Sequence, residues 1–127
     1  MQKSLTIHCR AFNAVFGKVG RVASENVVVE LLKTKCLPVL LYGLEACPLT
    51  KTQFKSLNYA ISSSFRKIFN VSSNEIVYWC RYMFNCVDVE DTLSVRKRKF
   101  LQKYCLLDNT VCALCRQQAN IELASLN

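Results

Sequence analysis

The sequence predicts an all-α fold, a single-domain bundle of five to six helices, on three observations. Only three Gly and two Pro occur in 127 residues, so long uninterrupted elements are favoured and a turn-rich β-sandwich is not. Apolar residues recur at steps of three and four rather than two. Two pairs, Thr50 with Gln53 and Ser72 with Glu75, have the spacing of a capping box at a helix start. An apolar fraction of 51% suffices for a core. No repeat, low-complexity tract or linker divides residues 1–127, so one helical domain is the simplest organisation.

The first helix is read from Leu5, Phe12, Val15, Phe16 and Val19, one stripe of a segment running to about Gly17. Gly17 and Gly20 are expected to loosen and end it. Ser24 followed by Glu25 reads as an N-cap with an acid in the first turn, and Val28, Leu31, Leu32 and Cys36 continue a buried face. Pro38 lacks an N–H, so it should kink that helix or break it one residue earlier. Val39 to Cys47 is apolar almost all round apart from Glu45 and reads as buried.

Thr50 and Gln53 open the clearest amphipathic helix, with Phe54, Leu57, Ile61, Phe65 and Ile68 inward and Lys51, Lys55, Tyr59, Ser62 and Arg66 outward. Ser72 and Glu75 open another, with Ile76, Cys80, Met83 and Phe84 inward, Trp79 at its flank and Asn85 ending it. Asp88, with Glu90 and Asp91 in the first turn, starts a helix whose inner positions are Val89, Leu93, Phe100, Tyr104 and Leu107. Its basic run lies further along, where positive charge suits the helix dipole. Residues 108–127 have a poor apolar pattern through Val111, Leu114 and Cys115 and are expected to form a loosely docked tail helix.

Seventeen Lys and Arg against nine Asp and Glu give +8, a balance that favours polyanionic partners. The N-terminal residues lack the apolar core of a signal peptide, so an intracellular protein of nucleus or cytoplasm with reduced thiols is expected, not a secreted one. The longest uncharged apolar stretch, Cys36 to Tyr42, falls far short of a membrane span.

Chemistry of its own is not expected. Cys112 and Cys115 form a lone Cys-x-x-Cys with Cys105 upstream, while the single His, His8, lies at the far end of the sequence. A zinc site wants two paired clusters, so these read as structural thiols in preference to a zinc-stabilised module. His8 is also the one imidazole available to a Ser or Cys nucleophile, and it reads as a helix-face residue. Asp88, Glu90 and Asp91, gathered at a helix start, read as capping groups rather than ligands of catalytic metals. No cofactor or metal is expected.

Basic residues with aromatics between them make the better case. Lys51, Lys55, Tyr59, Arg66 and Lys67 share one helix, and Arg96, Lys97, Arg98, Lys99 and Lys103 another, with Tyr104 beside them. Lys18, Arg21, Lys33 and Lys35 add to the set. Phosphate recognition needs positive charge on a face rather than a strict motif.

Two stretches carry a resemblance. Phe12-Asn13-Ala14-Val15-Phe16-Gly17-Lys18-Val19-Gly20-Arg21 and Lys35-Cys36-Leu37-Pro38-Val39-Leu40-Leu41-Tyr42-Gly43-Leu44-Glu45 resemble the reverse transcriptase of non-LTR retrotransposons, with Leu-Tyr-Gly-x-Glu the most telling element. The similarity is strongest over residues 12–84 and weakens from Cys86, although Arg96 to Leu101 still resembles a basic helix of that region. The resemblance implies the helical thumb that follows the polymerase palm and grips template–primer duplex, RNA or RNA–DNA, by its backbone. It also implies that fingers, palm and endonuclease would precede Met1. The palm of such enzymes holds two magnesium ions on an aromatic-x-Asp-Asp hairpin and an earlier Asp, and this sequence has no Asp-Asp pair. The expectation is a truncated fragment without polymerase activity by itself. The alternatives are an inactive helical remnant, self-associating through exposed apolar surface, or a host-retained interaction module.

Overall fold

The computed structural model describes residues 2–127, and among them there is helix and no strand. We number the helices α1 (Gln2–Val19), α2 (residues 25–40), α3 (Lys51–Phe69), α4 (Asn74–Met83), α5 (Val89–Leu106) and α6 (Thr110–Ser125), with a 3-10 turn at Leu44–Ala46. The all-α expectation holds. The chain packs as two compact units, Met1–Val89 and Glu90–Asn127.

In the first unit α1 packs on α2 and α3, α2 packs on α3, and α3 carries α4. The stripe Leu57, Ile61 and Phe65 is fully enclosed, as are Val28, Val29, Leu32, Cys36 and Leu40 of α2. Phe65 stacks with Phe69 at 6.1 Å and meets Phe84 at 6.4 Å, so three rings join α3 to the end of α4. Burial of such side chains contributes about 1.5–3 kcal/mol each before entropy is counted.

α1 runs through Gly17 to Val19, beyond its expected end. Gly17 faces solvent and tolerates the helix, whereas Gly20 marks the true stop. A Cβ on Gly20 would lie 2.6 Å from the Phe16 carbonyl oxygen and 2.7 Å from the Phe16 ring. Gly20→Ala should therefore destabilise the chain by about 1–3 kcal/mol, read as a lower urea midpoint with an unchanged m-value.

The regular α pattern of α2 is interrupted ahead of Pro38 and resumes one residue before it, at Leu37. The helix is α over Glu25–Leu31, widens to a π turn over Leu32–Cys36, and resumes as α over Leu37–Leu40. The Leu37 N–H reaches back to the Leu32 carbonyl. One extra residue in that turn makes room for a ring that would otherwise meet the carbonyl four residues back.

The expectation that Val39 to Cys47 is buried is only half right. Leu40, Leu41 and Leu44 are inside, but Tyr42 is 84% exposed and Val39 and Cys47 also face out. The chain leaves α2 through Gly43, whose φ of 70° is left-handed and suits a residue without Cβ. The stretch is made of the end of α2, a turn through Gly43 and the 3-10 turn Leu44–Ala46.

Thr50 and Gln53 form the expected capping box, with Gln53 N–H donating to Thr50 Oγ1 at 3.3 Å and Thr50 N–H to Gln53 Oε1 at 2.8 Å. The second expected box does not form. Ser73, not Ser72, is the N-cap of α4, and its side chain accepts no bond from the helix. Both α3 and α4 end on a left-handed Asn, Asn70 and Asn85, each followed by an N–H that reaches five residues back.

In the second unit α5 and α6 run antiparallel and are joined by polar links. Lys97 Nζ meets Glu122 Oε2 at 3.1 Å, Arg98 donates to the Leu126 carbonyl, and Cys105 Sγ donates to Asn120 Oδ1 at 3.1 Å. Its buried apolar side chains are few: Leu93, Leu101, Cys112 and Ala119. Leu101 takes the inner position expected of Phe100 and Leu107, which are exposed. α6 has its own N-cap, Asn109, which accepts from the Cys112 N–H at 2.9 Å.

Candidate nucleic-acid interface

α3 carries four basic residues, Lys51, Lys55, Arg66 and Lys67, and no acid. Its inward stripe is fixed by Leu57, Ile61, Phe65 and Ile68, which leaves Lys51, Lys55 and Tyr59 spaced by four on the outer face. All three are exposed. The Arg66 guanidinium lies over the Tyr59 ring at 5.8 Å from its centroid, and it also donates to Asn74 Oδ1 at the start of α4. Arg66 is thereby held between an aromatic ring on its own helix and an amide at the start of α4, half-buried.

The remaining basic residues divide. Lys67 donates to Asn13 Oδ1 at 2.9 Å and so ties α3 to α1. Lys33 pairs loosely with Glu30 at 3.5 Å. Lys18, Arg21 and Lys35 are exposed. On α5, Arg96, Lys99 and Lys103 share an exposed face, while Lys97 and Arg98 are drawn to α6. The Lys97 ammonium holds the Glu122 carboxyl below the usual carboxylate range. Five consecutive-looking cations are therefore two functions: three free charges and two that close a helical hairpin.

Two side chains play parts that periodicity misassigns. His8, read as a helix-face residue, is fully buried. Its Nδ1 lies 3.2 Å from the Cys36 carbonyl and its Nε2 lies 3.4 Å from Ser64 Oγ, so the imidazole bridges α1, α2 and α3. A carbonyl only accepts, which makes Nδ1 the protonated nitrogen of the neutral ring. Burial lowers the His8 pKa, with the bond to Cys36 opposing in part.

Arg81 is the second. The inner face of α4 is turned by one residue from the expected Ile76 and Met83, which are exposed, to Val77 and Arg81. The Arg81 guanidinium donates to Asn58 Oδ1 at 3.0 Å, Ser62 Oγ at 3.2 Å, the Cys86 carbonyl at 3.1 Å and the Val87 carbonyl at 3.1 Å. Asn58 Oδ1 also accepts from the Val89 N–H at 3.2 Å. Desolvation lowers the Arg81 pKa and the charge of Asp88 raises it.

This rotation leaves Tyr78, Trp79 and Tyr82 outside, each more than half exposed. Trp79 meets Tyr78 edge-on at 5.7 Å and Tyr82 at 5.9 Å. At about 100° per residue the three rings span only about 100° of the helix, so they fall on one side of it together.

The three cysteines weighed as zinc ligands stay apart in role: Cys112 is buried, Cys115 exposed, and Cys105 bonded to Asn120. Among the described residues no group of three or more His, Cys, Asp and Glu side chains could hold a metal ion. Among the same residues, no helix is long and apolar enough to cross a membrane.

Fold and surface together define a small all-α protein with a basic helical face. No family model, no curated protein and no solved structure matches the chain.

Proposed function

We propose that the chain is a thumb-like segment of a non-LTR retrotransposon reverse transcriptase that holds RNA or RNA–DNA duplex by its phosphates, independently of sequence. In this reading it carries no polymerase activity by itself. The observation that carries the proposal is α3: a helix with four cations, no acid and an exposed Tyr59 that meets the half-buried Arg66, set on a face that the core leaves to solvent. The resemblance of Phe12–Arg21 and Lys35–Glu45 to that family supports this reading. Arg96, Lys99 and Lys103 offer a second set of phosphate contacts on α5.

Phosphate recognition has a measurable signature. Each neutralised phosphate releases counterions, so log K should fall linearly with log salt, and removing one contacting cation should reduce the slope by about one. The triple variant Lys51→Glu, Lys55→Glu, Arg66→Glu should lose duplex binding at low salt while keeping its helical circular dichroism. Affinity that hardly responds to salt, or no binding even at low ionic strength, would end this reading.

A further inference from the structure

The cation row of α3 does not stop at Arg66. Through the Arg66–Asn74 bond it meets the first turn of α4, and Asn74, Tyr78 and Tyr82 then follow at steps of four along one face. Trp79 stands beside them, edge-on to both tyrosines. The result is a track within one compact unit that leads from charge to rings: Lys51, Lys55, Tyr59 with the half-buried Arg66, Asn74, then Tyr78, Trp79 and Tyr82.

The ring end of this track is fixed from beneath. Val77 is buried, and the four bonds of Arg81 fasten the opposite face of α4 to α3 and to the Cys86–Val87 turn. The three rings therefore stand outward on a helix that cannot roll to hide them. Apolar aromatic surface of this kind needs a covering partner. An apolar protein surface would use the rings but leave Lys51, Lys55 and Arg66 facing nothing of opposite charge. A strand with unpaired bases supplies both halves, phosphates for the cations and flat π faces for the rings.

We infer that Tyr78, Trp79 and Tyr82 form a stacking platform for the unpaired bases of a single-stranded nucleic acid whose phosphates lie along α3. The inference rests on the phosphate-binding role proposed for α3 and extends it from duplex backbone to single-strand bases. One group opposes it: Glu75, exposed in the first turn of α4, lies three and four residues before Tyr78 and Trp79 on the same side. Its carboxylate repels an approaching phosphate, which makes it a probe of the site.

Trp79 is the chain's one tryptophan, so its emission reports this surface alone. A short oligouridylate should quench that emission, and an abasic oligonucleotide of the same length and charge should not. In anisotropy titrations, Tyr78→Ala and Tyr82→Ala should each weaken oligouridylate binding roughly tenfold, the loss expected for one stacked base. Duplex affinity should stay within about twofold, since duplex bases are not free to stack. Glu75→Gln should tighten the single strand about twofold by removing like-charge repulsion.

Equal quenching by the abasic strand, or ring variants that bind oligouridylate like the parent while duplex binding persists, would overturn the platform and leave the α3 proposal standing. Failure of the parent protein to bind any strand or duplex at low salt would overturn both. Trp79 emission that follows protein concentration instead of added strand would assign the surface to a second copy of this chain and likewise overturn the platform.

Discussion

Arg81→Ala is expected to destabilise the first unit by about 1–3 kcal/mol, because it strips donors from several part-buried acceptors at once. The loss has identifiable parts. Asn58 Oδ1 keeps only the Val89 N–H, Ser62 Oγ loses a donor, and the Cys86 and Val87 carbonyls are left without the guanidinium. Each half-buried acceptor deprived of a donor costs about 1–3 kcal/mol, less where water reaches it. Arg81→Lys should restore little, because a single ammonium cannot span acceptors on α3 and on the turn after α4 with one planar fork. Urea unfolding of the two variants beside the parent would check this. A loss below about 1 kcal/mol would mean that solvent replaces these bonds freely.

The second large effect concerns acid. His8 has an ordinary pKa in the unfolded chain and a lowered one in the fold, because burial penalises the imidazolium. Below about pH 6.5 the unfolded chain binds more protons than the folded one, so folding stability falls with falling pH. The contribution is fully present above that pH and is lost progressively as the pH drops towards the lowered folded value. The neutral ring has one proton to give, and it goes to the Cys36 carbonyl. Ser64 Oγ lies between His8 Nε2 and the Ala60 carbonyl at 3.1 Å, so its single proton is divided between two acceptors. His8→Gln keeps hydrogen-bonding capacity without titrating. It should cost about 1–3 kcal/mol at neutral pH. It should also flatten the dependence of the urea midpoint between pH 7.5 and pH 5.5; a parent protein already flat over that interval would refute the assignment.

Much of the helical layout is legible without coordinates because it depends on neighbours in the chain. The Thr50–Gln53 box, the inward run from Leu57 to Ile68, the positions of Ser24 and Asn85 and the acids at the start of α5 all follow from local geometry. The errors arise where a polar residue is inside. A reading that sends apolar residues inward places Ile76 and Met83 in the core, since nothing near Arg81 in sequence announces the amide of Asn58, the hydroxyl of Ser62 or two carbonyls as its partners. His8 fails for the same reason: Cys36 and Ser64 lie 28 and 56 residues away.

The candidate site divides along the same line. The exposed charges Lys51 and Lys55 can be read from one helix's own pattern. The role of Arg66 needs a neighbour on α4, and the outward set of Tyr78, Trp79 and Tyr82 follows only once Arg81 is known to face in. Lys97 and Arg98 lose their free status to Glu122 and the Leu126 carbonyl, partners on another helix that the basic run alone does not reveal.

The π turn of α2 has a consequence for phase. Val28, Leu32, Cys36 and Leu40 are all enclosed at strict intervals of four. In an uninterrupted α-helix of 3.6 residues per turn, such a series would creep around the axis by about 40° at each step and leave the core before its end. A turn closed from residue i to i+5 takes up more than four residues, so it winds the series back. The segment Leu32–Cys36 acts as a phase correction that keeps one straight row of side chains against α1 and α3.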